Sequence, residues 1–324
     1  MVFKKLLGSL GVGGPTVDTV LEPGAVTPGG SLGGHVRLKG GSADFTIEHI
    51  TLELVARVEA EQEDGESEGT VAFERFTVSG GFILTADTEH SIPFTVAVPW
   101  ETPVTELYGQ DLGIVLGVRT ELSVAGARDK GDLDRLTVRP LPAQEAVLEA
   151  FGQLGFGFSS ADLELGHIRG SGQRLPFYQE IELSPAPRYA DRVNEVEVTF
   201  LAGADGLEVV LEADKRGGLH SHGGDTVSRL TIGAHEAQGR DLAAEIDRWI
   251  RALADTRSPH GAPGAYGHAD GPAHHSGPGL GTAVAVGAAG VAVGVVGGMV
   301  AAEVIDEVGD FFEGDEEEEE DDEG

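Results

Sequence analysis

The stretch ITLELVARVE, residues 50–59, repeats its chemistry every second residue. Ile50, Leu52, Leu54, Ala56 and Val58 fall on one side, and Thr51, Glu53, Arg57 and Glu59 on the other, with Val55 as the exception. Side chains of a β-strand alternate between two faces, so this spacing predicts a half-buried antiparallel strand. Runs of the same kind recur at 16–22 (TVDTVLE), 31–40 (SLGGHVRLKG), 69–78 (GTVAFERFTV), 90–99 (HSIPFTVAVP), 113–124 (GIVLGVRTELSV) and 132–140 (DLDRLTVRP). Turn-rich pieces separate them: EPGAVTPGG, KGGSAD, EQEDGESEG and PWETPVTELYGQD. Seven strands with almost no helical periodicity describe a β-sandwich over residues 15–141.

At Pro142 the period changes. PAQEAVLEAFGQLGF places Val147, Phe151 and Leu154 on one helical face, with Pro142 suited to a first turn and Gly155 to a helix stop. This segment, 142–158, is expected to be a short connecting helix. Strand patterns return at 161–170, 175–185, 193–203, 207–216 and 225–235. In EVEVTF, Val196, Val198 and Phe200 alternate with Glu195, Glu197 and Thr199. A second, smaller β-sandwich is expected over 159–238. RDLAAEIDRWIRALAD then aligns Leu242, Ile246, Trp249, Ile250 and Leu253 in one stripe, an amphipathic helix over 239–255 expected to dock back on the second sandwich, with a partner-binding or dimer helix as the alternative.

The remaining segments carry no core. Residues 1–14 hold a short amphipathic stretch, Val2 to Leu10, with Phe3, Leu6, Leu7 and Leu10 on one side; the apolar run is too interrupted for a signal peptide. Residues 256–279 are rich in Gly, Pro, Ala and His and read as a flexible linker. Residues 280–302, LGTAVAVGAAGVAVGVVGGMVAA, form an uncharged run of 23 residues. As a helix it would reach about 34 Å, enough for a bilayer core. Its content is mostly Gly, Ala and Val, and valine contributes only about −0.3 kcal/mol to insertion. No Lys or Arg flanks it directly, so no charge fixes an orientation. Gly290, Gly294 and Gly298 repeat at the spacing of a close-packing helix face. The segment is expected to associate weakly with a membrane or pack against a second copy; a true span and a disordered or self-docking segment are the alternatives. Residues 303–324 form an acidic tail with fourteen acids and no Lys or Arg, read as solubilising or as bait for a basic partner.

Charge and composition exclude several functions. The formal net charge is −33, a field that repels nucleic acid and favours basic protein partners. Cysteine is absent, which removes disulfides, Cys-ligated zinc, iron–sulfur clusters and a Cys nucleophile, and fits a cytoplasmic protein. No nucleophile elbow, P-loop, dinucleotide fingerprint or zincin motif occurs, so no catalytic, cofactor or metal-binding residue is assigned. His220 and His222, beside Asp225, and His260, His268, His274 and His275 lie in Gly/Pro-rich sequence that gives metal ligands no fixed geometry.

Several pieces in order carry a resemblance: FKKLLGSLGVG, VDTVLEPGAVTPGGSLGGHVRLKGG, VPWETPVT, AVLEAFGQLGF, RLPFYQEIELSP, EVEVTFL and LEVVLEADKRGG. Together they span most of residues 3–236, and the chain resembles the bacterial sporulation-control proteins of the stage-zero M type. That resemblance implies two arrestin-like β-sandwiches, a non-catalytic adaptor role in sporulation or development, and no catalytic residues. The long acidic end departs from the family pattern. Sandwich edges are the expected contact surfaces, with 175–185 a candidate edge or an internal strand.

Overall fold

The computed structural model describes residues 13–255, apart from 63–64, 128, 192, 216–227, 235 and 237–238. The amphipathic segment before residue 13, His220, His222 and Asp225, the linker 256–279 with its histidines, the apolar segment 280–302 with Gly290, Gly294 and Gly298, and the acidic tail lie outside the described residues.

Strand β3, Phe45–Gln62, organises the first unit. It pairs antiparallel with β4 (Gly65–Leu84) on one side and with β8 (Leu116–Val124) on the other, and β9 (Lys130–Arg135) follows β8. A second sheet of β1 (Thr16–Leu21), β2 (Ser31–Lys39) and β5 (Glu89–Ala97) lies against it. Inward side chains of both sheets share one core, among them Leu32, Val36 and Leu38 of β2, Phe94 and Val96 of β5, and Ile50, Leu52 and Leu54 of β3. A two-stranded pair, β6 (Glu106–Leu107) and β7 (Gln110–Asp111), sits in the loop ahead of β8.

The alternation of ITLELVARVE holds in register, but its second face is not open to water. Thr51, Glu53 and Val55 are buried along with Ile50, Leu52 and Leu54. Val55 packs beside Gly117 and Glu53 lies under two arginines, held by Arg119 at 2.5 Å and Arg75 at 3.5 Å. A central strand flanked on both sides is thus covered on both faces, and its carboxylate is buried only because guanidinium groups accompany it.

The second unit differs from the second β-sandwich expected over 159–238. Strands β10 (Gly157–Leu165), β11 (Phe177–Ser184), β12 (Val193–Gly203), β13 (Gly206–Lys215) and β14 (Ser228–Gly233) form one antiparallel array in chain order. Its apolar face presents Ile181, Leu183, Val196, Val198, Val209, Leu211 and Ile232 to two helices. Helix α1, Pro142–Gln153, contributes Val147, Ala150 and Phe151; helix α2, Leu242–Asp255, contributes Leu242, Ile246 and Ile250. Among the described residues, helices cover this face where the sequence reading placed a second sheet. The physical reason is that a strand pattern shows which face is apolar but not what covers it.

Both helices are tied down by polar contacts. Pro142 starts α1, and the Gln144 side chain accepts a bond from the Leu141 N–H at 2.8 Å. Arg188 reaches back to the Leu154 carbonyl at the end of α1 while its guanidinium lies 4.7 Å from the centre of the Tyr189 ring. The Tyr189 hydroxyl donates to Asp247 of α2 at 2.5 Å, and Arg251 pairs with the same carboxylate at 3.0 Å.

Gly206 closes the β12–β13 hairpin with φ 151°, and a Cβ there would stand 2.3 Å from the Ile232 carbonyl oxygen. Gly206→Ala should therefore force β13 away from β14. A loss of about 1–3 kcal/mol is expected, read as an earlier midpoint in urea denaturation. An unchanged midpoint would show that the hairpin has slack the packing does not indicate.

Candidate interaction surface

The two units meet through backbone, polar and apolar contacts. Beyond the end of β8, β3 gains a second neighbour on the same side: β10 runs parallel to it with Glu164 opposite Glu59. One sheet therefore passes from the first unit into the second. The Gln179 carboxamide of β11 uses both its ends on Val104 of the first unit, accepting from its N–H at 2.9 Å and donating to its carbonyl at 2.8 Å. Glu101 accepts from the N–H groups of Arg174 and Leu175 at 2.7 and 2.9 Å. Phe73 of β4 meets Phe177 of β11 edge to face, with ring centres 5.5 Å apart. Leu163, Leu175 and Phe177 belong to the core of the first unit although they follow α1 in the chain.

The contacts place β11 between β10 and β12. Residues 175–185, a candidate edge on the sequence, are thus internal, with both backbone sides of β11 engaged. Strand β4 is the long outer strand: among the described residues it pairs only with β3. Register shifts near Ile50 and Leu54 interrupt that pairing, and such bulges blunt an edge against further strand addition.

At the junction lies an open groove of about 610 Å³. Its walls are the Pro99–Glu101 loop, Arg174 and Leu175, and the β12–β13 hairpin from Leu201 to Glu208, with Glu74 of β4 at the rim. Trp100 stands in it 39% exposed. Gly29, at φ 70°, makes room for the indole: a Cβ at that position would lie 2.4 Å from the ring carbons. The first unit thus holds the tryptophan against its own backbone and presents the remainder to the groove.

The face of the second sheet turned away from the helices is acidic. Register sets Asp162 opposite Glu180, and Glu182 opposite Glu197, which in turn faces Glu212. Carboxylate oxygens of Asp162, Glu164 and Glu180 lie within 4.8 Å of one another. Burial, reinforced by the charges of Glu197, Asp162, Glu164 and Glu212, pushes the Glu180 carboxyl up to about 9. The same surroundings raise the Tyr178 hydroxyl, with burial again the main cause. Oxygen donors of this kind suit calcium or magnesium, with water completing the coordination. Holding a proton on Glu180 is the simpler way to relieve the crowding.

The sequence reading named no catalytic, cofactor or metal residue, and it did not single out Trp100, Gln179 or Glu180. VPWETPVT and RLPFYQEIELSP contain all three, but only as pieces of a family resemblance; nothing in the spacing showed that the two pieces meet. No helix among the described residues is long and apolar enough to cross a membrane.

Comparison with known proteins accounts for this architecture. The Spo0M family model, described as SpoOM protein, matches residues 3–217. Over 215 residues the chain is 39% identical to the sporulation-control protein Spo0M of Bacillus subtilis strain 168, covering 66% of this chain and 81% of that protein. The crystal structure of Bacillus subtilis Spo0M superposes with a TM-score of 0.67 at 32% identity, covering 75% of this chain and all of that one. With that family match over most of the described strands, and a solved relative of the same mainly β fold, the chain belongs to the Spo0M family of sporulation-control proteins.

Proposed function

We propose that the chain is a non-catalytic, arrestin-like adaptor in the control of sporulation, holding a protein partner at the junction of its two units. The observation that carries this reading is the junction itself. Gln179, Glu101 and Phe177 fix the units together, and the fixed units shape a groove around an exposed tryptophan. A polar-locked interface is what a binding scaffold requires, because preorganised surfaces lose less entropy on association. The family's name supplies the process, sporulation, and the acidic body favours partners with basic surfaces.

The test is genetic and chemical together. Deletion of the gene in its native host should alter spore yield or timing, and the full-length protein should restore it. Crosslinking in the complemented cells should join one recurrent protein to residues near Trp100 and Arg174. Unaltered sporulation in the deletion strain removes the regulatory reading.

Gly290, Gly294 and Gly298 support a second reading, in which the C-terminal segment assembles copies or holds the protein weakly at a membrane. Truncation before Leu280 should then halve or further reduce the mass seen by light scattering, or release protein from the membrane fraction. Identical mass and solubility for the two forms would end this reading.

A further inference from the structure

The groove at the junction combines an apolar floor with an acidic rim. Pro99, Trp100, Leu175 and Leu201 supply apolar surface, while Glu74, Glu101, Asp205 and Glu208 supply four carboxylates against the single lining cation, Arg174. Two of these acids are already engaged. Glu101 holds the N–H groups of Arg174 and Leu175, and Glu208 pairs with Arg229 at 3.0 Å. Glu74 and Asp205 are exposed; Glu74 accepts the backbone N–H of Arg75 at 3.1 Å, and among the described residues neither carboxylate has a cationic side-chain partner. The exposed part of Trp100 borders the same space. An aromatic face beside uncompensated carboxylates attracts a cation, through the ring quadrupole and through direct charge attraction. The volume takes a few side chains, not the face of a folded domain.

Resting on the adaptor reading, we propose that this groove is the partner-docking site, and that it takes a protein segment in which an apolar side chain is flanked by lysine or arginine. The apolar side chain would lie against Pro99, above the buried Leu175 and Leu201, and the cation between the Trp100 ring and the Glu74 and Asp205 carboxylates. An acidic segment, including the protein's own residues 303–324, is disfavoured by the same rim.

The probe is a fluorescein-labelled pentapeptide of alternating leucine and lysine, titrated into full-length protein by anisotropy. The expected result is saturable binding that weakens at least tenfold in Trp100→Ala and in the double variant Glu74→Gln, Asp205→Asn, and no binding of a leucine–glutamate peptide. The double variant alters only exposed side chains, so it keeps the test valid should Trp100→Ala unfold. Equal affinity in the double variant, or no saturable binding to the unaltered protein, overturns the proposal. The adaptor reading fails separately. A native partner still crosslinked to the double variant at full yield leaves the adaptor standing and removes the groove, while an unaltered deletion strain removes the adaptor whatever the peptide does.

Discussion

Glu180→Gln is expected to raise the stability of the protein at pH 7 by about 3 kcal/mol, and to leave it unchanged near pH 4. The carboxyl of Glu180 ordinarily titrates at 4.5 and is pushed up to about 9 in the folded chain, chiefly by burial and then by Glu197, Asp162, Glu164 and Glu212. The folded state therefore binds this proton more tightly than the unfolded state does. Its stabilising contribution is complete below the unfolded value and is lost as pH rises toward the folded one. At pH 7 the unfolded chain has released the proton while the folded chain still holds it, and that difference weighs against folding. Glutamine has nearly the same shape as the protonated acid and carries no such proton. Asp134, raised to about 6 by burial and by Asp132 and Asp18, adds a slope of the same sign, but it is present in both proteins and cancels in the comparison. Urea denaturation at pH 4, 7 and 8 provides the measurement. Equal midpoints for the two proteins at pH 7 would show that Glu180 is ionised and compensated in the folded state.

The same residue shows where reading the sequence stops. In LPFYQEIELSP, Glu180 and Glu182 alternate with Ile181 and Leu183, and such alternation means an apolar face and a solvated one. The apolar half was legible: Ile181 and Leu183 face the helices as the period requires. The other half was not, because a period of two fixes sides and not neighbours. Asp162 and Glu164 arrive from another strand, and their placement against Glu180 depends on register, which no single segment contains. The stripe of α2 was equally legible in Leu242, Ile246 and Ile250, since one helix face carries the whole signal. Its docking on the second β unit was legible too, since that unit's strands carry the nearest unpaired apolar face, and Leu242, Ile246 and Ile250 share a core with them.

The junction is the larger omission. The period changes at Pro142, and the pattern on either side of it describes a separate core. Phe177, on β11 of the second unit, nevertheless lies in the first unit's core, and Gln179 two residues later is spent on Val104. Both residues sit in a run whose pattern describes an ordinary strand. Contacts between residues about a hundred positions apart, such as Phe73 with Phe177, leave no periodic trace. The groove and Trp100 were illegible for the same reason, since the groove exists only where the two halves touch.

Phe177→Ala tests that union directly. The side chain is 2% exposed and packs edge to face on Phe73, so truncation leaves a cavity across the junction. A loss of about 3–5 kcal/mol is expected. Loss of cooperativity between the units is the more telling consequence. The chain has two tryptophans, Trp100 in the first unit and Trp249 on α2 in the second, so Trp249→Phe and Trp100→Phe forms report each unit alone. With Phe177 in place, unfolding followed through either tryptophan should share one midpoint, because the continuous sheet and the Gln179 and Glu101 bonds couple the units. With alanine at 177 the two midpoints should separate, the first unit opening earlier because its core has lost a ring. Coincident midpoints together with a loss below about 1 kcal/mol would mean that Phe177 is peripheral to the coupling, and that the hydrogen bonds of Gln179 and Glu101 hold the units together without it.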